Sequence, residues 1–207
     1  MKEFPCQLYL ISPLEVGGDF PVQLEAALSA GPVAAFQFRV KDVDQHEAAA
    51  LAEPLQAICA AHDVAFIVND SVALAKRLKA DGVHLGQGDG DVSEARELLG
   101  REAQIGVTCH NSRHLAMEAA EAGADYVAFG AFYPTQTKAV EHIADLDTLQ
   151  KWSLVTEVPC VAIGGITADN AKPLIDGGAD FIAVSNAVWT HPQGPAEAVK
   201  AFNALLA

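Results

Sequence analysis

The chain has 207 residues, 51% of them hydrophobic and 19% charged, with a formal net charge of −14 and a pI of about 4.7. A length of this order is expected to form one domain over residues 1–207 and to bury roughly 70% of its unfolded surface without a disulfide or structural metal. The acidic balance excludes nucleic acid and anionic membrane as partners, because both would be repelled. The four cysteines, Cys6, Cys59, Cys109 and Cys160, show no CxxC spacing, and no apolar run is long enough to cross a membrane. With no basic-then-apolar pattern at its N-terminus, the chain is expected to be cytoplasmic and reduced.

Gln7–Ile11 reads as a strand, followed by a Pro/Gly loop and a helix over Val22–Ser29. Ala34–Arg39 is the second predicted strand, and Asp44–His62 a long Ala-rich helix that Pro54 should kink or divide. The third unit is strand Ala65–Val68 with helix Val72–Lys79; the fourth is Gly82–Leu85 with Val92–Leu99, started by Asp91 and closed by Gly100. Gln104–Thr108 is the fifth strand, and its helix Ser112–Ala122 should present Leu115, Ala119 and Ala122 on one face. Strand Tyr126–Phe129 leads to helix Asp145–Val155, with Leu149, Trp152 and Val155 at helical spacing. Cys160–Ile163 precedes a helix over Asp169–Ile175, and Phe181–Val184 precedes the last helix, Pro195–Leu206. Eight strand–helix units with short apolar strands argue for parallel pairing and for a closed single-domain (β/α)8 TIM barrel, an α/β fold. An open doubly wound sheet is the alternative. Gly-Ala-Asp recurs at Gly123 and Gly178, with a related Ala-Asp-Gly at Ala80, each turning a helix into the next strand.

In such a barrel the active site lies at the C-terminal strand ends. Asn69 and Asp70 end the third strand and Asp89 follows the fourth, so two carboxylates and an amide should converge there. That donor set suits a hard cation such as Mg2+, which keeps several of its waters. The plainer alternative is that Asn69 or Asp70 merely caps the helix at Ser71. Period-two spacing puts Gln37, Arg39 and Lys41 on one face, a composition that suits phosphate or diphosphate in a chain poor in bases. Thr108 could donate to a phosphate, His84 reads as a hydrogen-bonded barrel residue, and His110 as either an acid–base group or a helix cap. After the sixth strand, Thr135, Thr137 and Lys138 offer hydroxyls and a charge. After the seventh and eighth, Gly164-Gly165 and Ser185-Asn186 suit a second anion.

Taken together, Gln37–Lys41 with Asp42, Val68-Asn69-Asp70, Gly82–Asp89, Gly106–His110, Gly130–Lys138 and Ile163–Ile166 resemble the thiamine-phosphate synthase family along nearly the whole chain. The resemblance implies a transferase that joins 4-amino-5-hydroxymethyl-2-methylpyrimidine diphosphate to thiazole phosphate, with release of diphosphate. It implies that Gln37, Arg39, Lys41, Asn69, Thr108 and Lys138 hold the pyrimidine diphosphate, with Arg39 and Lys138 catalytic in neutralising the leaving group. Asp70 and Asp89 would hold Mg2+, and Thr135, Gln136, Thr137, Gly165, Ser185 and Asn186 the thiazole phosphate. The expected partners are these small molecules, with homo-oligomerisation left open. Departures from the family pattern are Val40, Gly88, Thr108 and Ser185-Asn186, with no glycine soon after Lys138. Gly88 is expected to loosen the metal loop. The competing readings are a thiazole tautomerase, a precursor sensor, and a Schiff-base aldolase using Lys41 or Lys138.

Overall fold

The computed structural model describes residues 5–135 and 142–206. Eight strands close into one all-parallel barrel in sequence order, the last pairing with the first. They are β1 (Gln7–Ile11), β2 (Ala35–Phe38), β3 (Ala65–Asn69), β4 (Gly82–Leu85), β5 (Gln104–His110), β6 (Tyr126–Phe129), β7 (Cys160–Ile163) and β8 (Phe181–Val184). The helices are α1 (Phe20–Leu28), α2 (Gln45–Ala61), α3 (Val72–Leu78), α4 (Val92–Leu99), α5 (Arg113–Glu121), α6 (Leu146–Val155), α7 (Lys172–Asp176), α8 (Asn186–Trp189) and α9 (Pro195–Leu206). The closed barrel is the expected one, and the open sheet is ruled out.

Strand alternation sorts the buried side chains into two clusters. Leu8, Leu10, Phe36, Phe38, Phe66 and Val68 pack between barrel and helices. Tyr9, Ile11, Ala35, Ile67, Tyr126 and Ala183 form a separate cluster inside the barrel. Both faces of each strand are thus buried, which is why the strands read as near-continuous apolar runs.

The recurring Ala-Asp has a structural cause. Asp81, Asp125 and Asp180 each stand just before an even-numbered strand and clasp the odd-numbered strand beside it. Their carboxylates accept the N–H groups of Phe66, Ile105 and Cys160 at 2.7, 2.6 and 2.7 Å. Their own N–H groups donate to the carbonyls of the same three residues. Asp125 also takes the guanidinium of Arg96. Asp125→Ala, which strips the Ile105 N–H of its carboxylate acceptor while Arg96 keeps backbone carbonyls as partners, is expected to destabilise the fold by about 1–3 kcal/mol, read as a lower urea midpoint; an unchanged midpoint would contradict this role.

Four expectations on the helices are corrected. Pro54 does not divide α2, which runs unbroken for 17 residues. Pro54 is exposed while Ala52, Leu55 and Cys59 are buried, so the missing hydrogen bond faces solvent and packing holds the helix together. On α5 the buried positions are Ala116 and Ala119, and Ala122 is exposed. On α6, Leu149 and Trp152 are buried but Val155 is 75% exposed, because the helix ends there. Finally, α7 starts at Lys172 rather than Asp169, since Asn170 closes a turn by accepting the N–H of Thr167 and donating to the carbonyl of Gly165. The segment after β8 is not a loop but the one-turn helix α8, whose Trp189 donates to the carbonyl of Ile11 at 2.6 Å.

Candidate active site at the C-terminal mouth of the barrel

A cavity of about 590 Å³ opens at the C-terminal strand ends. Its lining includes Gln37, Arg39, Asn69, His84, Thr108, Thr135, Gly165, Ser185 and Asn186. Residues from strands 2 through 8 therefore converge although they lie far apart in sequence.

On β2 the period-two face is present, but its three members have different fates. Gln37 is 4% exposed and forms part of the cavity floor, donating from Nε2 to the Tyr9 hydroxyl at 3.0 Å. The strand ends at Phe38, and Arg39 follows it with its backbone held at both ends by Ser12. The Arg39 N–H donates to Ser12 Oγ at 2.9 Å, and Ser12 Oγ donates to the Arg39 carbonyl at 3.1 Å. Arg39 Nη1 is buried and has no hydrogen-bond partner among the described residues. Burial lowers the pKa of this guanidinium, and the nearby charge of Asp70 opposes that. Lys41, expected on the same face, is exposed and outside the cavity lining, because the chain has left the strand. It is close enough to Asp70 to favour the ionised carboxylate. Its exposure also removes the basis for a Schiff-base role at that position.

The carboxylates of Asp70 and Asp89 lie side by side. Asp70 is half-buried, in the left-handed region at φ 65°, and its N–H donates to the His84 carbonyl at 2.8 Å. Burial pushes its pKa up, and so does the neighbouring Asp89; Lys41 and Arg39 pull it down. Asp89 is aimed by its own loop, with Oδ2 accepting the Gly86 N–H at 2.9 Å. The helix-cap alternative fails for both Asn69 and Asp70, since the N-cap of α3 is Ser71, whose Oγ accepts from Leu74. Gly88 faces open space, so nothing in the packing demands a glycine there.

On β5, Thr108 Oγ1 lies 2.8 Å from His84 Nε2, and its carbonyl accepts from Gln87 Nε2 at 2.7 Å. His84 is the hydrogen-bonded barrel residue expected, held also by Tyr126. His110 does not cap α5; Ser112 does. A register shift in β5 turns His110 to the cavity rim, with its ring 4.9 Å from that of His142. Burial pushes the Cys109 thiol up to about 12, which leaves it a protonated packing residue rather than a nucleophile.

Thr135 lines the cavity, whereas Gln136, Thr137 and Lys138 lie outside the described residues. Gly164 and Gly165 have φ of 99° and 66°. A side chain on Gly165 would run into the carbonyls of Pro134 and Tyr133, so the glycine lets the loops after β6 and β7 pack together. Gly165→Ala is expected to destabilise by about 2 kcal/mol or more through the positive φ and this clash, detected as a lower thermal midpoint; an unchanged midpoint would show that the loops can part freely. Ser185 and Asn186 line the cavity at the start of α8, and Ser185 makes no side-chain cap bond to it.

The family model described as thiamine monophosphate synthase matches residues 8–188. The chain belongs to the thiamine monophosphate synthase family. A thiamine-phosphate synthase of Erythrobacter litoralis is 70% identical over 204 residues, covering 97% of this chain and 95% of that one. One from Rhodospirillum centenum is 52% identical, covering 97% and 98%. Among solved structures, thiamine phosphate pyrophosphorylase from Pyrococcus furiosus superposes with a TM-score of 0.86 at 30% identity, covering 97% and 95%. Relatives of the thiamine monophosphate synthase family thus match across both halves of the barrel mouth. Three residues that shape this site were not singled out from the sequence for it: Tyr9, Ser12 and Tyr126. Their signal is weak, because a tyrosine or serine in an apolar strand reads as packing until its neighbour across the barrel is known.

Proposed function

We propose that the chain is a transferase that couples 4-amino-5-hydroxymethyl-2-methylpyrimidine diphosphate to thiazole phosphate, giving thiamine phosphate and diphosphate. The observation that carries this reading is the buried Arg39 Nη1, without a partner among the described residues, at the mouth of a family-typical barrel. A buried guanidinium donor without an acceptor is costly, and an anionic leaving group would supply the acceptor. Arg39 then stabilises negative charge as the C–O bond to diphosphate breaks. Asn69 and Thr108 would hold the same substrate, with Gln37 beneath it. Lys41 is assigned a lesser part, as a charge near Asp70 rather than a cavity contact. Lys138 is assigned the second cation on diphosphate, on the family pattern alone. The thiazole phosphate is assigned to Thr135, Gln136, Thr137, Gly165, Ser185 and Asn186.

Mg2+ fits the donor set. Burial and the neighbouring Asp89 both make Asp70 reluctant to ionise, and this carboxylate pair would gain from a divalent cation. Asp70 and Asp89 would hold it, and when bound it would supply further neutralisation of the leaving diphosphate. No group of three or more His, Cys, Asp or Glu suited to a metal occurs among the described residues, so water and phosphate oxygens would complete the shell. Attack by the thiazole nitrogen needs no general base. The pyrimidine cation is left beside Gln37 and Thr108.

The deciding assay is diphosphate release from purified protein with both substrates, with and without Mg2+. Release that requires both substrates and Mg2+ is the expected result. Binding of thiazole phosphate without release would favour a tautomerase or sensor instead.

A further inference from the structure

Five side chains on five strands form one unbroken hydrogen-bonded chain across the barrel beneath the site. Gln37 Nε2 donates to the Tyr9 hydroxyl at 3.0 Å. The hydroxyls of Tyr9 and Tyr126 are 3.0 Å apart. The Tyr126 hydroxyl is 3.0 Å from His84 Nδ1, and His84 Nε2 is 2.8 Å from Thr108 Oγ1. Gly106 makes room for the phenol, since any side chain there would overlap the Tyr126 ring. Gln37, His84 and Thr108 line the cavity, while Tyr9 and Tyr126 are buried below it.

Each link has a direction. Burial pushes Tyr9 up to about 12 and Tyr126 well above its ordinary value, so both phenols keep their single proton. With Gln37 Nε2 donating to Tyr9, the Tyr9 proton goes to Tyr126. The Tyr126 proton then goes to Nδ1 of His84, which must carry its own proton on Nε2 and give it to Thr108. The Thr108 hydroxyl proton is left for the cavity, as is the amide oxygen of Gln37. Turning the Gln37 amide over reverses every link. Thr108 then gives its proton to His84 and offers the cavity only lone pairs, while Gln37 offers N–H. A mixed arrangement sets two donors or two acceptors against each other in the dry interior, where such a mismatch is most costly.

We propose that this chain locks the hydrogen-bonding polarity of the two cavity ends together, with His84 as the positioning residue in its Nε2–H form. Thr108 is thereby held as a donor and Gln37 as an acceptor. The site then selects a substrate with an anionic group at the Thr108 end and a neutral N–H donor, such as a ring amine, at the Gln37 end. This rests on the functional reading above and deepens it: the aminopyrimidine diphosphate carries both groups, whereas thiazole phosphate has no ring amine.

The test has two parts. Nitrogen NMR of the histidine-labelled whole protein, with His84 assigned through its contact with Tyr126, should show the Nε2–H tautomer both alone and with inorganic diphosphate. Tyr126→Phe removes the central link without changing ring volume. It should mix the two His84 tautomers and raise KM for the pyrimidine diphosphate about tenfold, with KM for thiazole phosphate within twofold. A native Nδ1–H tautomer would overturn the proposal, as would Tyr126→Phe leaving the tautomer unchanged or raising both KM values alike. Should Tyr126→Phe fail to fold, Tyr9→Phe, which breaks the neighbouring link, is read in the same way. If the unmodified protein forms no thiamine phosphate, the functional reading fails; the tautomer measurement needs no turnover and still decides the lock.

Discussion

Arg39→Ala should lower kcat/KM for diphosphate release by about 10²–10³-fold, the range seen when one preorganised donor to developing negative charge is removed. The side chain lies at the cavity with one nitrogen buried and unpartnered among the described residues. Its backbone is held by Ser12, so truncation leaves the loop in place. Removing a buried cation that burial already disfavours should leave the thermal midpoint of the ligand-free protein unchanged or raised. Arg39→Lys should recover little, because an ammonium on a flexible stem cannot reproduce the planar fork of donors. Activity near that of the parent in Arg39→Ala would sink the assignment of the diphosphate to this part of the cavity.

Asp89→Asn is expected to reduce Mg2+-dependent turnover by about 10²-fold or more, as a lost metal ligand does to charge stabilisation at a leaving group. The substitution keeps an oxygen to accept the Gly86 N–H, so the loop should hold its shape. It also removes the like charge beside Asp70, one of the causes that push the Asp70 pKa up. The ligand-free variant should therefore melt no lower than the parent while losing turnover. Turnover measured against Mg2+ concentration, together with a melting curve, reads both effects. A lower melting point with intact Mg2+ dependence would mean that Asp89 serves the loop and not a metal.

Both outcomes follow one physical theme. The mouth of this barrel holds groups that the described residues satisfy poorly: a guanidinium nitrogen with no acceptor among them and two adjoining carboxylates. Such arrangements cost stability in the empty protein and favour the charged ligands that relieve them.

Much of this was legible in the chain. Asp44 and Asp91 cap their helices where a polar residue precedes an apolar-periodic run, whereas the caps at Ser71 and Ser112 fell to a neighbour of the residues weighed for them. The strands at Gln7–Ile11, Gly82–Leu85, Tyr126–Phe129, Cys160–Ile163 and Phe181–Val184 lie where their apolar runs are bounded by turn residues. The convergence of Asp70 and Asp89 follows from parallel strands alone. The alternation of Gln37 and Arg39 was correct, yet alternation does not say where a strand stops, and Lys41 left the face once β2 ended at Phe38.

Local sequence determined the eight strands and most of the helices, because caps, turns and apolar runs act over a few residues, although it missed α8 and the late start of α7. It also determined which end of the barrel carries the chemistry, since polar residues cluster after the strands. Only the tertiary structure decided what these side chains do to one another. Asp81, Asp125 and Asp180 became strand clasps only once a neighbouring strand stood beside them. Tyr9 and Tyr126, 117 positions apart, became links in a chain from Gln37 to Thr108 only when the barrel closed. Hydrogen bonds across a barrel depend on through-space register between distant strands, and no spacing within a single strand records it.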